Sequence, residues 1–169
     1  MGGDIAFRAL ERHVGAPVIL RWWNPTRMKE PQILIELSPA PADERTVLEG
    51  LQRHNDEYVP AHGDAPLAVF ARGESGEVLG GLLGKTGRGW LQVSILWVNP
   101  AMRGRGLGTR LMAAAEEYAI ECGCHSAYLN TFDFQAWPFY ERCGYEVFGV
   151  LDNYPDEHER YFMRKVLKR

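Results

Sequence analysis

Hydrophobic and polar positions change period several times along the chain, and each change predicts an element. Residues 33–37 are short and β-branched, which predicts a strand before the breaks at Pro39 and Pro41. From Asp43, a residue type that favours helix starts, Val47, Leu48, Leu51 and Tyr58 recur at helical spacing and predict a helix ending before Pro60. Residues 67–72, 77–83 and 90–98 read as strands joined by Gly-rich turns at 73–76 and 87–89, an antiparallel meander. In the third strand, strict alternation puts Leu91, Val93, Ile95 and Trp97 on one face and Gln92, Ser94, Leu96 and Val98 on the other. The second face is mixed, which suits the wall of a cleft.

Beyond that meander the period returns to helical. Leu107, Leu111, Ala115, Ala119 and Cys122 form one stripe of a helix over 106–122, and Gly123 supplies its left-handed stop. Residues 126–132 predict a strand, 135–143 a short helix ended by Gly144, 145–151 another strand and 160–166 the last. The order β, α, βββ, α, β, α, ββ implies an α/β fold, a mixed and mostly antiparallel sheet flanked by helices, with one parallel pair made across the 106–122 helix. Residues 1–31, interrupted by Trp22-Trp23-Asn24-Pro25 and Pro31, lack a clean period. They read as an N-terminal extension or an oligomer contact ahead of a single domain over 32–169.

Composition narrows the class. With 169 residues, 46% hydrophobic and 24% charged, the chain reads as one soluble globular domain. A net charge of −3 gives no overall basic field for nucleic acid or an anionic membrane, so any anion site must be local. No apolar segment approaches the ~20 residues needed to cross a bilayer, and a cytoplasmic location is expected. The three cysteines, Cys122, Cys124 and Cys143, are spaced for neither a disulfide framework nor a zinc half-site. They read as buried or half-buried free thiols, and no metal site is expected.

One local anion site stands out. "RGRGLG", residues 103–108, sits where a strand gives way to a helix, and there the first helical N–H groups lack partners and the helix dipole is positive. Gly104, Gly106 and Gly108 permit a sharp turn and close approach of a bulky anion. Arg103 and Arg105 can add charge-assisted bonds, and Thr109 a hydroxyl. A Walker loop requires Lys after its last glycine, whereas Thr109 and Arg110 follow Gly108. A dinucleotide fingerprint requires a glycine at position 109's place in the spacing, and Thr stands there.

What does match is Arg/Gln-x-x-Gly-x-Gly/Ala, as Arg103-Gly104-Arg105-Gly106-Leu107-Gly108, after a meander ending in "WVNP". Downstream stands Ala136-x-x-Phe139-Tyr140-Glu141-Arg142-x-Gly144-Tyr145. Together these resemble the GNAT superfamily of N-acetyltransferases over roughly residues 33–166. The resemblance implies an acetyl-CoA-dependent transferase whose glycine loop cradles the coenzyme A pyrophosphate. It implies that the strand ending at Val98 splays from the one over 126–132, with the pantetheine arm in the gap. Cofactor contact then falls to Leu96, Trp97, Val98, Arg103, Gly104, Arg105, Gly106, Leu107, Gly108, Thr109, Asn130, Asp133, Ala136 and Phe139. The resemblance assigns Tyr140 the role of general acid toward the thiolate. Core packing is the other reading of Tyr140, and the preferred one for Phe139.

The acceptor side is less defined. An amine must lose a proton before it attacks, yet residues 90–98 hold no carboxylate, so the base that many relatives carry there is missing. A backbone N–H near Val98 is a candidate oxyanion donor. Asp133 can bind the cofactor, steer an ammonium group or cap the helix starting near Gln135. His54, Asp56 and Glu57 are candidates for the acceptor side, with solvated surface as the alternative. Trp90, Trp97, Tyr58, Tyr128 and Phe134 are aromatics near the inferred cleft. The run "DNYPDEHE", residues 152–159, reads either as a solvated hairpin loop or as a cation-attracting rim. The expected acceptor is a small-molecule primary amine; a protein amine and a non-catalytic acyl-CoA-binding module are the alternatives. A homodimer is compatible with this reading.

Overall fold

A computed structural model describes residues 31–59 and 64–167, and the backbone of Val18–Ile19. The chain divides into two compact units, Met1–Pro60 and Ala61–Arg169. Most of the segment read as an N-terminal extension lies outside the described residues. In the first unit β1 (Val18–Ile19) pairs antiparallel with β2 (Leu34–Ile35), so the strand expected over 33–37 is reduced to two residues. Helix α1 (Pro41–Asp56) begins before Asp43, because Pro41 presets a helical φ and lacks only an N–H that would go unpaired there. Asp43 and Glu44 instead occupy the first turn, where they face the positive end of the dipole. Tyr58 lies beyond the helix end.

The second unit is a six-stranded sheet in the order β3-β4-β5-β6-β8-β7. Its strands are β3 (Ala65–Arg72), β4 (Val78–Gly87), β5 (Trp90–Val98), β6 (Ser126–Phe132), β7 (Glu146–Asp152) and β8 (Glu159–Val166). Helix α2 (Leu107–Glu121) makes the crossover between β5 and β6, the one parallel pair in a sheet otherwise antiparallel. The short α3 (Trp137–Arg142) follows β6. Leu111, Met112, Ala115 and Ala119 of α2 are buried. The last three share a core with Leu82, Leu91, Val93, Ala127, Leu129 and Met163 of the sheet. The small alanines let the helix lie close on the strands. Cys122 is a correction to the expected stripe and to the expected thiol burial: as the residue that ends α2 it turns outward and is exposed, and Met112 fills the apolar face instead. Cys124 is buried and Cys143 half-buried, as read.

Glu116 ties this helix to two other elements, accepting from Tyr145 Oη (3.1 Å) and from Lys165 Nζ on β8 (2.5 Å). Both partners are themselves largely buried, so the carboxylate is held in place rather than solvated.

The strict alternation expected along β5 fails halfway. Leu83 pairs with Ile95 and Gly84 with Val93, which leaves Ser94 as an extra residue, a β-bulge. The bulge flips the side chains beyond it. Leu91 and Val93 are buried, but Ile95 is 55% and Trp97 45% exposed, while Leu96 packs against the core. Pairing of β5 with β6 also stops here, running only from Trp90↔Ser126 to Val93↔Leu129. Both strands continue past that point, β5 to Val98 and β6 to Phe132, so they diverge. The bulge and the splay therefore begin at the same place.

Candidate active site

The diverging ends of β5 and β6 open onto a cleft of about 890 Å³. Of the residues expected at the cofactor, Leu96, Trp97, Val98, Arg103, Gly104, Gly106, Leu107, Gly108, Thr109, Asn130, Ala136 and Phe139 line it, together with Tyr140. Arg105 and Asp133 do not. Ser94, on the face expected to form the cleft wall, lines it too, as do Ile95, Met102, Thr131, Gln135 and Arg142, to which the sequence assigns no cofactor contact. Gln135 also finishes β6, its Oε1 accepting from Thr131 Oγ1 (3.1 Å) and from Phe132 N (3.2 Å).

At one end of the cleft the chain leaves β5 through a single 3₁₀ turn, Pro100–Met102, capped by Asn99 Oδ1 accepting from Ala101 N (3.0 Å). Arg103 Nε donates to Val98 O (3.1 Å), which pins the loop to the strand end. Gly104 and Gly106 adopt left-handed φ values of 71° and 75°, and Gly106 caps α2. A Cβ at either position would meet open space, so it is the backbone angle that demands glycine there. Gly108 differs: a Cβ would stand 3.2 Å from Phe139 Cζ, so this glycine lets α3 approach α2. Among the described residues, no carbonyl accepts from the amides of residues 104–109, and the first helical bond runs from Arg110 N to Gly106 O (3.1 Å). This is a run of free donors at the positive end of a helix, beside the Arg103 guanidinium. Its donor set fits a phosphate or pyrophosphate.

Opposite this loop, α3 presents Tyr140. The residue is 9% exposed and its ring packs edge-on against Phe139 (5.1 Å) and Tyr145 (6.2 Å). No described residue bonds its hydroxyl, yet among the described residues no buried side-chain polar atom lacks a partner, so the hydroxyl reaches the cleft rather than being sealed in the core. Burial, with the Cys143 thiol nearby, pushes its pKa up to about 12. The hydroxyl is a proton donor at neutral pH.

This shift has a stability consequence. Below pH 10 the folded and unfolded chains both keep the Tyr140 proton; between about pH 10 and 12 only the unfolded chain releases it. Stability is therefore present below pH 10 and falls by about 3 kcal/mol as pH rises to 12. Tyr145, raised by burial and by Glu116, adds in the same direction. Urea unfolding across this range should show the decline, and Tyr140→Phe should reduce it, leaving the part due to Tyr145.

The rest of the acceptor side is aromatic and polar. Asn130 Oδ1 accepts from Arg160 Nε (2.9 Å) and Nη2 (2.5 Å), and that guanidinium lies over the rings of Phe132, Tyr154 and Phe162. Phe132 stacks on Phe134, whose ring lines the cleft and is half exposed. Trp90 and Tyr128 pack on each other and do not line it. Asp133 does not cap α3, which starts at Trp137 with Ala136 before it. Its carboxylate accepts instead from Phe134 N (2.7 Å) and meets His158 Nδ1. The 152–159 run is the β7–β8 hairpin loop, with Asn153 Oδ1 accepting from Glu157 N. Arg103 and Arg142 are the charged residues of the cleft lining, which among the described residues contains neither carboxylate nor imidazole. His54, Asp56 and Glu57 belong to the other compact unit.

A mixed sheet splayed at its one parallel pair, with a glycine-capped helix start at the mouth of the splay, is an acyltransferase architecture. The acetyltransferase (GNAT) family matches residues 31–145, and the chain belongs to that family. It is 43% identical over 130 residues to blasticidin-S acetyltransferase of Streptomyces morookaense, covering 69% of this chain and 96% of that one. The crystal structure of an acetyltransferase from Bacillus cereus ATCC 14579 superimposes with a TM-score of 0.74 at 27% identity, covering 79% of this chain and 96% of that chain. A protein assigned as a streptothricin acetyltransferase from Bacillus anthracis str. Ames, solved in complex with acetyl coenzyme A, shares the fold at a TM-score of 0.55 and 21% identity, over 67% of this chain and 68% of that one. The chain is an acetyltransferase enzyme of the GNAT family.

Proposed function

We propose that the enzyme transfers acetyl from acetyl-CoA directly to the primary amine of a small molecule. The observation that carries this reading is the run of free amides over 104–109 at the mouth of the splay. Acetyl-CoA supplies an activated thioester and a pyrophosphate by which it can be held. The amides of 104–109 and the Arg103 side chain bind the pyrophosphate, and the Arg103 bond to Val98 O keeps loop and strand in fixed register. From Ser94 onward β5 has no partner on its β6 side, so its backbone is available to an extended, amide-bearing arm. Leu96, Trp97, Val98, Asn130, Ala136 and Phe139 flank that arm. Tyr140 donates from its hydroxyl toward the sulfur that gains charge as the C–S bond breaks. No covalent enzyme intermediate is needed.

The relative's name motivates a small-molecule acceptor, and blasticidin S heads the panel of amines to try. Acetyl-CoA at a hundred times its Kd should stabilise the fold by about 2.7 kcal/mol, a rise in Tm of about 5–10 °C. Free thiol should then appear with at least one amine among blasticidin S, aminoglycosides, polyamines, amino acids and peptides. Absence of any thermal shift would remove the pyrophosphate seat, and turnover with peptides alone would move the acceptor class.

A further inference from the structure

We propose that His158, oriented by Asp133, accepts the proton of the incoming ammonium group through one water at the Phe134 edge of the cleft. This rests on the acetyl-transfer reading above and supplies the base that the cleft lining lacks. His158 ends the β7–β8 loop, where its N–H donates to Pro155 O (2.9 Å) and its carbonyl accepts from Tyr154 N (2.9 Å). Asp133, on the loop after β6, donates its own N–H to Glu159 O (3.0 Å), so the two loops are joined through their backbones. The imidazole Nδ1 stands 3.1 Å from Asp133 Oδ1 and 3.2 Å from Oδ2. The ring meets the edge of Phe134 at 4.7 Å between centroids, and Phe134 lines the cleft. Phe134 therefore touches both this imidazole and the cleft.

The chemistry of the pair sets the direction of the proton. Asp133 is raised by burial, but the bonds from His158 and from Phe134 N outweigh that and lower its pKa below the usual carboxylate value, so it is an anion at neutral pH. A carboxylate can only accept, so Nδ1 carries the hydrogen in this bond, and the tautomer that fits it holds its lone pair at Nε2. No described residue bonds Nε2. The other charged groups around the ring are Asp156 and Glu157 in its own loop and Glu159 and Arg160 at the start of β8. Glu159 is engaged by Tyr161 Oη and Arg160 by Asn130. In the step, R–NH₃⁺ passes one proton through water to Nε2 and becomes R–NH₂. The nitrogen lone pair forms the C–N bond as the C–S bond breaks with its electron pair on sulfur. The second nitrogen proton ends on the thiolate, and the imidazolium returns its proton to solvent.

The test compares wild type with His158→Gln and Asp133→Asn, using acetyl-CoA and blasticidin S. His158→Gln should lower kcat/KM about 100-fold at neutral pH and abolish the fall in rate on the acid side, with added imidazole restoring part of it. Asp133→Asn should lower kcat about tenfold. Thermal stabilisation by acetyl-CoA should be unchanged in both, because neither residue lines the cleft. A wild-type pH profile in His158→Gln, or a loss that is independent of pH and not rescued by imidazole, overturns the proposal while leaving acetyl transfer intact. A measurement without acceptor is the ¹⁵N spectrum of the His158 ring: the Nδ1–H tautomer is expected, and the Nε2–H tautomer overturns the proposal. Failure of the wild type itself to be stabilised by acetyl-CoA would instead strike the transfer reading.

Discussion

Tyr140→Phe should lower kcat about 100-fold while leaving the KM for acetyl-CoA within about twofold and the Tm unchanged. The structure sets both halves of this expectation. The hydroxyl has no partner among the described residues, so its removal leaves no buried group unpaired, and Phe fills the same space beside Phe139 and Tyr145. The pKa of about 12 defines how the hydroxyl acts. A free cysteine thiol has a pKa of about 8.5, well below that of Tyr140, so complete proton transfer from Tyr140 to a thiolate would be uphill. In the proposed reaction the hydroxyl donates a hydrogen bond that strengthens as charge builds on sulfur, and a preorganised donor of this kind contributes about two to three powers of ten in rate. Steady-state kinetics decide the matter: a kcat within threefold of wild type would return Tyr140 to the core.

S-Acetylpantetheine, which keeps the thioester and loses the pyrophosphate, should be used at least about 1,000-fold less efficiently than acetyl-CoA. The loss belongs to binding, since each charge-assisted hydrogen bond contributes about 1.5–3 kcal/mol and the loop over 104–109 offers several. Saturating S-acetylpantetheine should recover a kcat near that of acetyl-CoA, because Tyr140 and the β5 edge are untouched by the change. Gly106→Ala provides the matching change in the protein. With φ at 75° and open space around a Cβ, its cost lies in the backbone, about 1 kcal/mol of stability, together with weaker acetyl-CoA binding as the free amides lose their alignment. Equal efficiency with the two thioesters would mean that the loop does not hold the donor by its pyrophosphate.

The parts of this fold that were legible in the sequence are those written in local pattern. Residues 90–98 and 126–132 are strands at the bounds their alternation and flanking glycines indicate, and α2 starts and stops at Gly106 and beyond Glu121, where left-handed glycines stand. The glycine loop stands out by its spacing at a strand-to-helix junction and Tyr140 by its place in the GNAT-like motif, and both line the cleft. What was not legible depends on partners distant in sequence. The bulge at Ser94 exists because β4 and β5 differ by one residue in register, and no property of Ser94 itself signals it. It turns Ile95 and Trp97 outward, against their alternation. The position of β8 between β6 and β7 is likewise a choice of pairing, and it is this order that carries His158 to Asp133. Asp133 read locally as a helix cap; its observed partner is 25 residues away.

The central claim, that the amides of residues 104–109 hold the pyrophosphate of the acetyl donor, is tested most directly by titrating the ¹⁵N-labelled protein with acetyl-CoA. The account predicts large, saturable downfield shifts of the Gly104 to Thr109 amide protons, and only small ones with S-acetylpantetheine. Amides over 104–109 that stay in place while acetyl-CoA binds would contradict it.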